Sequence, residues 1–287
     1  MTNVRRSKES ILAVLAVLAG CGGRQVATVP ASSPAPATAT AVEAVTLAPV
    51  VLLAEDFDGT WDDGLAGALL DDHHITLVEG FGRGGSDGIS VAYVGFERGS
   101  ERVGRKYPLE ETTDRAVLSF DVCFDEEFQW THGGKLHGLA PKYPVTGGGK
   151  RRAKGWSARM LFKEAGRVAA YLYDQDETAK WGIGRATRYP VFEAGQWHHV
   201  VLQVRLNSPG EADGFALIRI DDREVMRTEN VAFRGEDGPE TRIQNFLFST
   251  FHGGNGPKWT PVRNGKPTTV YAYFDNFLVT GDSTGRP

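Results

Sequence analysis

The sequence predicts an all-β domain, an antiparallel β-sandwich of the jelly-roll, concanavalin-like type with one concave sheet that can bind an extended ligand. From about residue 50 onward, short segments of alternating apolar and polar residues follow one another, separated by Gly, Pro, Asn and Asp. Only residues 62–73 (DDGLAGALLDDH) have helical character, and this extends over one or two turns at most. Many strands without alternating helices favour an antiparallel sandwich, and a jelly roll fits a domain of this length.

Eight segments account for the predicted strands. The first, VLLAEDF, opens the domain, and the alternation of DVCFD in the second predicts that Cys123 is a small buried hydrophobic residue. In chain order, the segments are residues 51–57, 115–125, 155–162, 167–175, 197–207, 214–225, 243–254 and 270–281.

The N-terminus is predicted to be a targeting signal rather than part of the fold. Three basic residues precede the apolar run 11–20 (ILAVLAVLAG), which is too short to span a bilayer, since a transmembrane helix needs about 20 residues. The following LAGC resembles a bacterial lipobox, and this resemblance implies cleavage before Cys21 and lipidation of its sulfur. Residues 1–21 are therefore interpreted as a lipoprotein signal peptide, which places the protein in the bacterial cell envelope. Anchoring in the outer membrane is favoured, with secretion as the alternative.

Composition separates a tether from the folded domain. Residues 22–48 are rich in Ala, Pro, Ser and Thr without periodicity, so we expect a flexible linker. The jelly-roll domain is assigned to residues 49–287.

The net charge of −4 gives no global sign of nucleic-acid binding. We expect the protein to be a monomer. Because Cys21 is assigned to the lipid, the only other cysteine has no disulfide partner.

The segments 155–162 and 167–175 form a predicted hairpin with one apolar and one polar face. Successive side chains of a strand point to opposite faces, so the apolar residues of both strands must face the core together. Arg, Tyr and Gln on one sheet face suit a carbohydrate acid, because Arg pairs with carboxylates through two hydrogen bonds. A solvated outer face is the alternative. The polar set comprises Ser157, Arg159, Tyr171, Tyr173 and Gln175.

The same alternation predicts the register of the hairpin. A three-residue loop at 163–165 would place Ser157 opposite Tyr171 and Arg159 opposite Ala169. A two-residue loop would divide the polar set between both faces, since a slip of one residue reverses every side chain.

Several motifs in this order resemble alginate lyases of polysaccharide lyase family 14 and the neighbouring glucuronan lyases. They are GGKL-GL (133–139), GWSARM, YLYDQ, GQWH and FSTFHGG, and the resemblance extends from about Ala54 to Gly281. It implies a jelly roll that cleaves a uronic-acid polymer by β-elimination, with an acidic polysaccharide as the partner. His137 stands where the family motif usually has proline. The functional residues that the resemblance implies are Lys135, Ser157, Arg159, Tyr171 and Tyr173.

A role for each group follows as a hypothesis. Lys135 and Arg159 would neutralise the uronate and stabilise the developing negative charge, with Gln175 as a hydrogen-bond donor. Tyr173, in preference to Tyr171, would protonate the leaving oxygen. The base could be either tyrosine, or Lys135 if neighbouring positive charge lowers its pKa. The glycines around Lys135 would let the backbone approach the polymer closely.

The remaining candidates lie in loops and at strand ends. His132, His137, His252 and Lys258 are predicted to bind substrate. The reaction needs no metal or other cofactor if Lys and Arg neutralise the acid. A structural calcium ion is a further expectation, because the oxygens of Glu55, Asp56 and Asp275 would be neighbours in a jelly roll.

Two other classes of protein share this fold. A carbohydrate-binding lipoprotein without catalysis is the main alternative, since fold does not imply function. A glycoside hydrolase would need two carboxylates about 5–10 Å apart across the cleft, and FDEEF (124–128) lacks the spacing of such a pair.

Overall fold

The computed structural model describes residues 49–178 and 180–282. The chain divides into the units Met1–Val45 and Thr46–Pro287, and the described residues all belong to the second. The predicted signal peptide at 1–21, the tether at 22–48 and the lipidated Cys21 therefore lie outside the described residues. Within the described ranges, no helix is both long and apolar enough to cross a membrane.

Strands dominate the described chain, as predicted, with one short α-helix and three single 3₁₀ turns. The helix has seven residues, about two turns, and lies within residues 62–73, as predicted. The elements are β1 (Pro49–Glu55), α1 (Gly64–Leu70), β2 (Ile75–Val78), β3 (Gly88–Phe96), β4 (Gly99–Ser100), β5 (Val103–Thr113), β6 (Arg115–Phe124), β7 (Gly134–Ala140), β8 (Ser157–Lys163), β9 (Arg167–Tyr173), β10 (Trp197–Arg205), β11 (Gly214–Ile220), β12 (Arg223–Val231), β13 (Ile243–His252), β14 (Val262–Arg263), β15 (Lys266–Pro267) and β16 (Thr269–Asp282).

Two antiparallel sheets form the sandwich and confirm the predicted fold class. The larger sheet has nine strands in the order β12-β11-β10-β6-β16-β3-β2, with β1 paired to β16 and β4 paired to β3. The smaller sheet has five strands in the order β5-β13-β7-β8-β9. Strands far apart in sequence are neighbours in both sheets, as a jelly roll requires.

The core lies between the sheets and is rich in aromatic side chains. In β6, Leu118, Phe120, Val122 and Phe124 are fully buried, because alternate residues of the strand face the smaller sheet. Burying each side chain of this size contributes about 1.5–3 kcal/mol. Cys123 is buried too, as predicted, and burial raises the pKa of its thiol to about 11.

The hairpin β8–β9 keeps the predicted faces, but the predicted register is wrong by two residues. Ser157 pairs with Tyr173, and Arg159 pairs with Tyr171. Because the shift is an even number, the four side chains still share one face of the sheet.

The turn of this hairpin explains the difference. It consists of Glu164–Gly166 instead of 163–165, and Lys163 pairs with Arg167 across its base. Ala165 at φ 57° and Gly166 at φ 71° both take the left-handed conformation. The sequence signal from Gly166 alone did not include Ala165, which rarely adopts this region.

Candidate active site

A cleft of about 640 Å³ opens on the outer face of the smaller sheet. Its floor comes from β7, β8, β9 and the end of β13, and its walls come from the loops beyond them. Three basic side chains and several aromatic rings line it, a composition suited to an acidic sugar chain. The lining residues are Arg102, His132, Gly133, Gly134, Lys135, Gly147, Leu161, Lys163, Tyr171, Trp181, Phe251, Gly253, Gly254, Asn255 and Trp259.

Lys135 lies at the centre of this cleft, as predicted. In β7 it pairs with Leu161 on one side and with Phe251 on the other. Its ammonium nitrogen lies 4.3 Å from the centre of the Tyr171 ring. Burial, reinforced by the positive charges of Arg159, Arg102 and Lys163, lowers the pKa of Lys135 to about 7. A large fraction of Lys135 is therefore a neutral amine at neutral pH, so that it can accept a proton.

Two glycines of the segment 133–139 are required by the packing of the strands, in addition to any role in the approach of a polymer. A Cβ atom on Gly134 would lie 2.1 Å from the ring of Phe162, and one on Gly138 would lie 2.1 Å from the carbonyl oxygen of Ala158. Both distances are far below van der Waals contact. Gly133, with φ 112°, lines the cleft itself.

The two tyrosines differ in position, although they are adjacent on one face of β9. Tyr171 lines the cleft, whereas Tyr173 is fully buried. Their hydroxyl groups are 3.0 Å apart, and the backbone N–H of Gly148 donates to the Tyr173 hydroxyl at 2.6 Å. Burial, together with the neighbouring Tyr173, raises the pKa of Tyr171. Of the two tyrosines, Tyr171 is the one that lines the cleft, and the preference of the sequence analysis for Tyr173 as proton donor stays a prediction.

Arg159 lies beneath Tyr171. Its guanidinium carbon is 5.0 Å from the centre of the Tyr171 ring, and only 6 % of the residue is exposed. Among the described residues, its Nε and Nη2 atoms have no hydrogen-bond partner. Ser157, in contrast, is fully buried and donates to the carbonyl of Val145 at 2.7 Å. Ser157 thus fixes the loop beside the cleft instead of lining it.

His132 is a cleft residue, as predicted, and belongs to a small charged group at the rim. Its Nδ1 atom pairs with the carboxylate of Glu164, and its carbonyl accepts a hydrogen bond from Lys163 Nζ at 2.8 Å. Lys258 is exposed beside this group, with its ammonium 4.4 Å from the Trp259 ring centre. Lys258 does not line the cleft, but Trp259 does.

His137 is placed in the core, not in the cleft where the sequence interpretation put it. It is fully buried and contacts Phe120 and Phe248, with ring centres 4.7 and 4.4 Å away. The register of β7 shifts between Leu136 and Gly138, and this bulge turns the His137 side chain inward. Its Nδ1 atom accepts the N–H of Ser249 at 3.1 Å. Burial lowers its pKa well below the usual value, so the ring is neutral.

His252 is also a core residue and not a cleft residue. It is fully buried, and its ring stacks on Phe128 at 5.2 Å. Its Nε2 atom bonds to the carbonyl of Gln129 at 2.6 Å. Burial lowers the pKa of His252 to about 4. As the last residue of β13, it follows Phe251, which faces the cleft, so strand alternation directs His252 inward.

Gln175 does not share the cleft with Tyr171. Its amide donates hydrogen bonds to the carbonyls of Phe233 at 2.8 Å and Arg152 at 3.2 Å. The residue follows β9 after the strand has ended, so the alternation that placed it on the polar face no longer applies. Its amide joins two loops instead.

The sequence analysis did not identify three cleft residues, Arg102, Lys163 and Trp181. Arg102 precedes β5 and is held by the carbonyls of His252 and Gly254 at 2.9 and 2.8 Å. Trp181 belongs to the segment after β9. An exposed Trp in a polar segment was the one available signal, since Arg102 lies in an ordinary charged turn.

The calcium site expected at Glu55, Asp56 and Asp275 stays a prediction. Glu55 accepts the N–H groups of Phe57 and Ala66, both at 3.0 Å, and so stabilises the start of α1. Asp275 accepts from Arg83 N and Ser86 Oγ at 2.8 and 2.7 Å. These oxygens are therefore engaged by protein donors.

Comparison with known families identifies the class of protein. The sequence model of the family described as Polysaccharide lyase 14 matches residues 95–277, which include every cleft residue above. The chain belongs to the polysaccharide lyase 14 family. No curated protein matches the sequence significantly.

Solved structures show the same fold. The alginate lyase Aly36B, in a mutant complex with an alginate trisaccharide, is 25 % identical with a TM-score of 0.57, over 67 % of this chain and 80 % of that one. The PL-14 alginate lyase from the marine Aplysia kurodai is 20 % identical with a TM-score of 0.55, over 72 % and 86 %. The endo-β-1,4-glucuronan lyase of the fungus Trichoderma reesei is 15 % identical with a TM-score of 0.50, over 72 % and 86 %.

The protein is thus an enzyme, a polysaccharide lyase acting on a uronic-acid polymer. Family membership favours a lyase over the carbohydrate-binding protein without catalysis.

Proposed function

We propose that this lyase cleaves alginate by β-elimination, with Lys135 as the base and Tyr171 as the acid. The observation that carries the proposal is the contact between these two groups in the cleft, 4.3 Å from ammonium nitrogen to ring centre. The pKa of Lys135 is lowered to about 7, whereas the pKa of Tyr171 is raised. Such a pair supplies an acceptor and a donor of protons at the same pH.

The elimination begins when the neutral amine of Lys135 takes the proton from C5 of a bound uronate. The electron pair of that C–H bond forms the C4–C5 double bond, while the bond from C4 to the glycosidic oxygen breaks. Tyr171 gives its proton to the departing oxygen. The Lys135 ammonium and the Tyr171 phenolate, which are neighbours, then exchange a proton and restore the starting state.

Positive charge makes the C5 proton removable. Arg102 and Lys163 line the cleft and can pair with the uronate carboxylate, so that charge developing on it is stabilised. Arg159 stays charged beneath Tyr171 and favours the phenolate formed in the second half of the reaction. Arg159 also lowers the pKa of Lys135, after burial, so it prepares the base as well.

Of the two candidate substrates, we favour alginate over polyglucuronate. The support is the 25 % identity with Aly36B, whose structure was solved with an alginate trisaccharide. The glucuronan lyase shares only 15 % identity. Polyglucuronate is the second candidate.

Near-ultraviolet absorbance tests the proposal directly. The purified protein would be mixed in turn with alginate, polymannuronate, polyguluronate and polyglucuronate. β-Elimination leaves a conjugated double bond that absorbs in this range, whereas hydrolysis leaves none. We expect a rise with alginate that is lost in Lys135→Ala. A rise with polyglucuronate alone would overturn the substrate assignment, and silence on all four would overturn the activity.

We also infer that the enzyme is a monomeric lipoprotein of the cell envelope, anchored through Cys21. The support is the LAGC sequence after a short apolar run. Expression in a bacterium supplied with labelled fatty acid tests it. The protein should carry the label in the membrane fraction, and Cys21→Ser should carry none. Equal labelling of both would contradict the anchor, and size-exclusion chromatography of the released protein tests the monomer.

A further inference from the structure

A second cluster of chemically reactive side chains lies away from the cleft, in the turn between α1 and β2. Asp72, His73 and His74 follow one another there, and Glu101 approaches from the link between β4 and β5. The imidazole rings of His73 and His74 overlap, with centres 3.9 Å apart and an angle of 39° between their planes. Adjacent residues of a strand would point apart, but this turn directs both rings to one side.

The overlap brings three donor atoms together. The ligand atoms of Asp72, His73 and His74 lie within 4.8 Å of one another. The Oδ1 atom of Asp72 is 2.8 Å from Nδ1 of His74 and 3.9 Å from Nδ1 of His73. A bound transition metal lies about 2.0–2.2 Å from each nitrogen or oxygen ligand. Small rotations of these side chains would place all three donor atoms at that distance from one ion.

We propose that Asp72, His73 and His74 form a binding site for a divalent transition-metal ion, of which Zn²⁺ is the representative. Two imidazoles and one carboxylate are a ligand set that zinc accepts, with water in the fourth position. Nitrogen donors select such ions over Ca²⁺ and Mg²⁺, which prefer oxygen.

Glu101 supports the site through a hydrogen bond to the ring of His74. Its Oε2 atom is 2.8 Å from Nε2 of His74. When Nδ1 of His74 binds the ion, its Nε2–H donates to Glu101, which fixes the tautomer and the orientation of the ring. The site thus has a carboxylate that ligates and a second one that supports a ligand.

Accessibility and charge agree with this role. The His73 side chain is 83 % exposed, so an ion can reach the site from solvent, whereas His74 is 6 % exposed and held rigidly. The carboxylates of Asp72 and Glu101 each place an oxygen 2.8 Å from a ring nitrogen of His74, so two negative charges lie beside the site. The turn therefore favours positive charge at this position.

A bound ion would connect the turn before β2 of the larger sheet with the chain that leads into β5 of the smaller sheet. Through Glu101 it ties the turn after α1 to the link before β5, one residue from Arg102 in the cleft. The proposal does not depend on the lyase reaction, because none of its ligands lines the cleft.

Isothermal titration of the chelator-treated protein with zinc chloride tests the site. We expect one ion per chain, with affinity at least tenfold weaker in His73→Ala and in Asp72→Asn. Glu101→Gln should weaken binding by about 10- to 100-fold, as loss of a supporting carboxylate does. His73 is exposed, so its removal should leave the fold intact.

His199→Ala is the matched control. His199 is an imidazole beside one carboxylate, with Nδ1 2.8 Å from Asp121 Oδ1, whereas the adjacent His198 pairs with a different carboxylate, Asp221. Its loss should leave zinc affinity unchanged. The proposal fails if the wild-type chain binds no zinc at micromolar concentrations, if His73→Ala binds as tightly as the wild type, or if His199→Ala loses the affinity instead.

Discussion

The ammonium nitrogen of Lys135 lies 4.3 Å from the centre of the Tyr171 ring. The two residues come from strands β7 and β9, which are separated in the sheet by β8. Lys135 and Tyr171 are far apart in the sequence, so only the formation of the sheet brings the proposed base and acid together. The proposed chemistry of the cleft depends on this contact.

Replacing Lys135 separates its role as a base from its role as a charge. Lys135→Arg keeps the positive charge but cannot be deprotonated near neutral pH. We expect both Lys135→Arg and Lys135→Ala to lower kcat by about 10²- to 10⁴-fold, the usual contribution of a general base. Absorbance of the unsaturated product measures it, with the exposed Lys266→Arg as control. Near-normal turnover in Lys135→Arg would show that charge alone suffices.

The pH dependence of kcat/KM reports the free base. Because the pKa of Lys135 is lowered to about 7, the amine is neutral above that pH and protonated below it. We therefore expect kcat/KM to rise as pH increases through about 7 and then to level. Arg159→Gln removes one source of positive charge, so its profile should shift toward higher pH. A profile that falls through this range would contradict a basic role for Lys135.

The two tyrosines should respond differently to loss of their hydroxyl groups. Tyr171→Phe removes the proposed acid, and kcat should fall by about 10²- to 10⁴-fold without unfolding. Tyr173→Phe leaves the Gly148 N–H without its acceptor, which should cost about 1–3 kcal/mol of stability and a smaller part of the rate. Rates and urea unfolding of both variants decide. The reverse order of rate loss would restore Tyr173 as the acid.

The buried histidines should make the fold sensitive to acid. His137 and His252 stay neutral in the fold, with pKa values below 6.5, and that of His252 is about 4. Their contribution to stability is present above pH 6.5, the unfolded value, and is lost as pH falls below it. Each contributes a slope of about 1.4 kcal/mol per pH unit in that window.

Urea unfolding at pH 7.5, 6 and 5 measures this slope. His74 has a raised pKa and acts in the opposite direction, so wild type and variant must be compared. His137→Gln can still accept the Ser249 N–H and should show a shallower loss below pH 6.5. An unchanged slope would exclude His137 as a source of acid sensitivity.

The fold class and half of the site were predictable because they depend on local alternation. Strand periodicity identified the sandwich, and parity placed Arg159, Tyr171 and Tyr173 on one face even with the register wrong. The resemblance to known lyases identified Lys135. The motif around Lys135 did not reveal the bulge at His137. One extra residue in a strand reverses the direction of a side chain, so the side chain of His137 points to the core.

By itself, the sequence determined which residue types alternate along each strand, and therefore which face of the smaller sheet is polar. Tertiary structure decided which polar residues meet solvent. Loop 144–155 covers Ser157 and Tyr173, whereas Tyr171 stays in the cleft. It also decided the pKa of Lys135, because burial and the approach of Arg159, Arg102 and Lys163 arise only when distant strands and loops pack together.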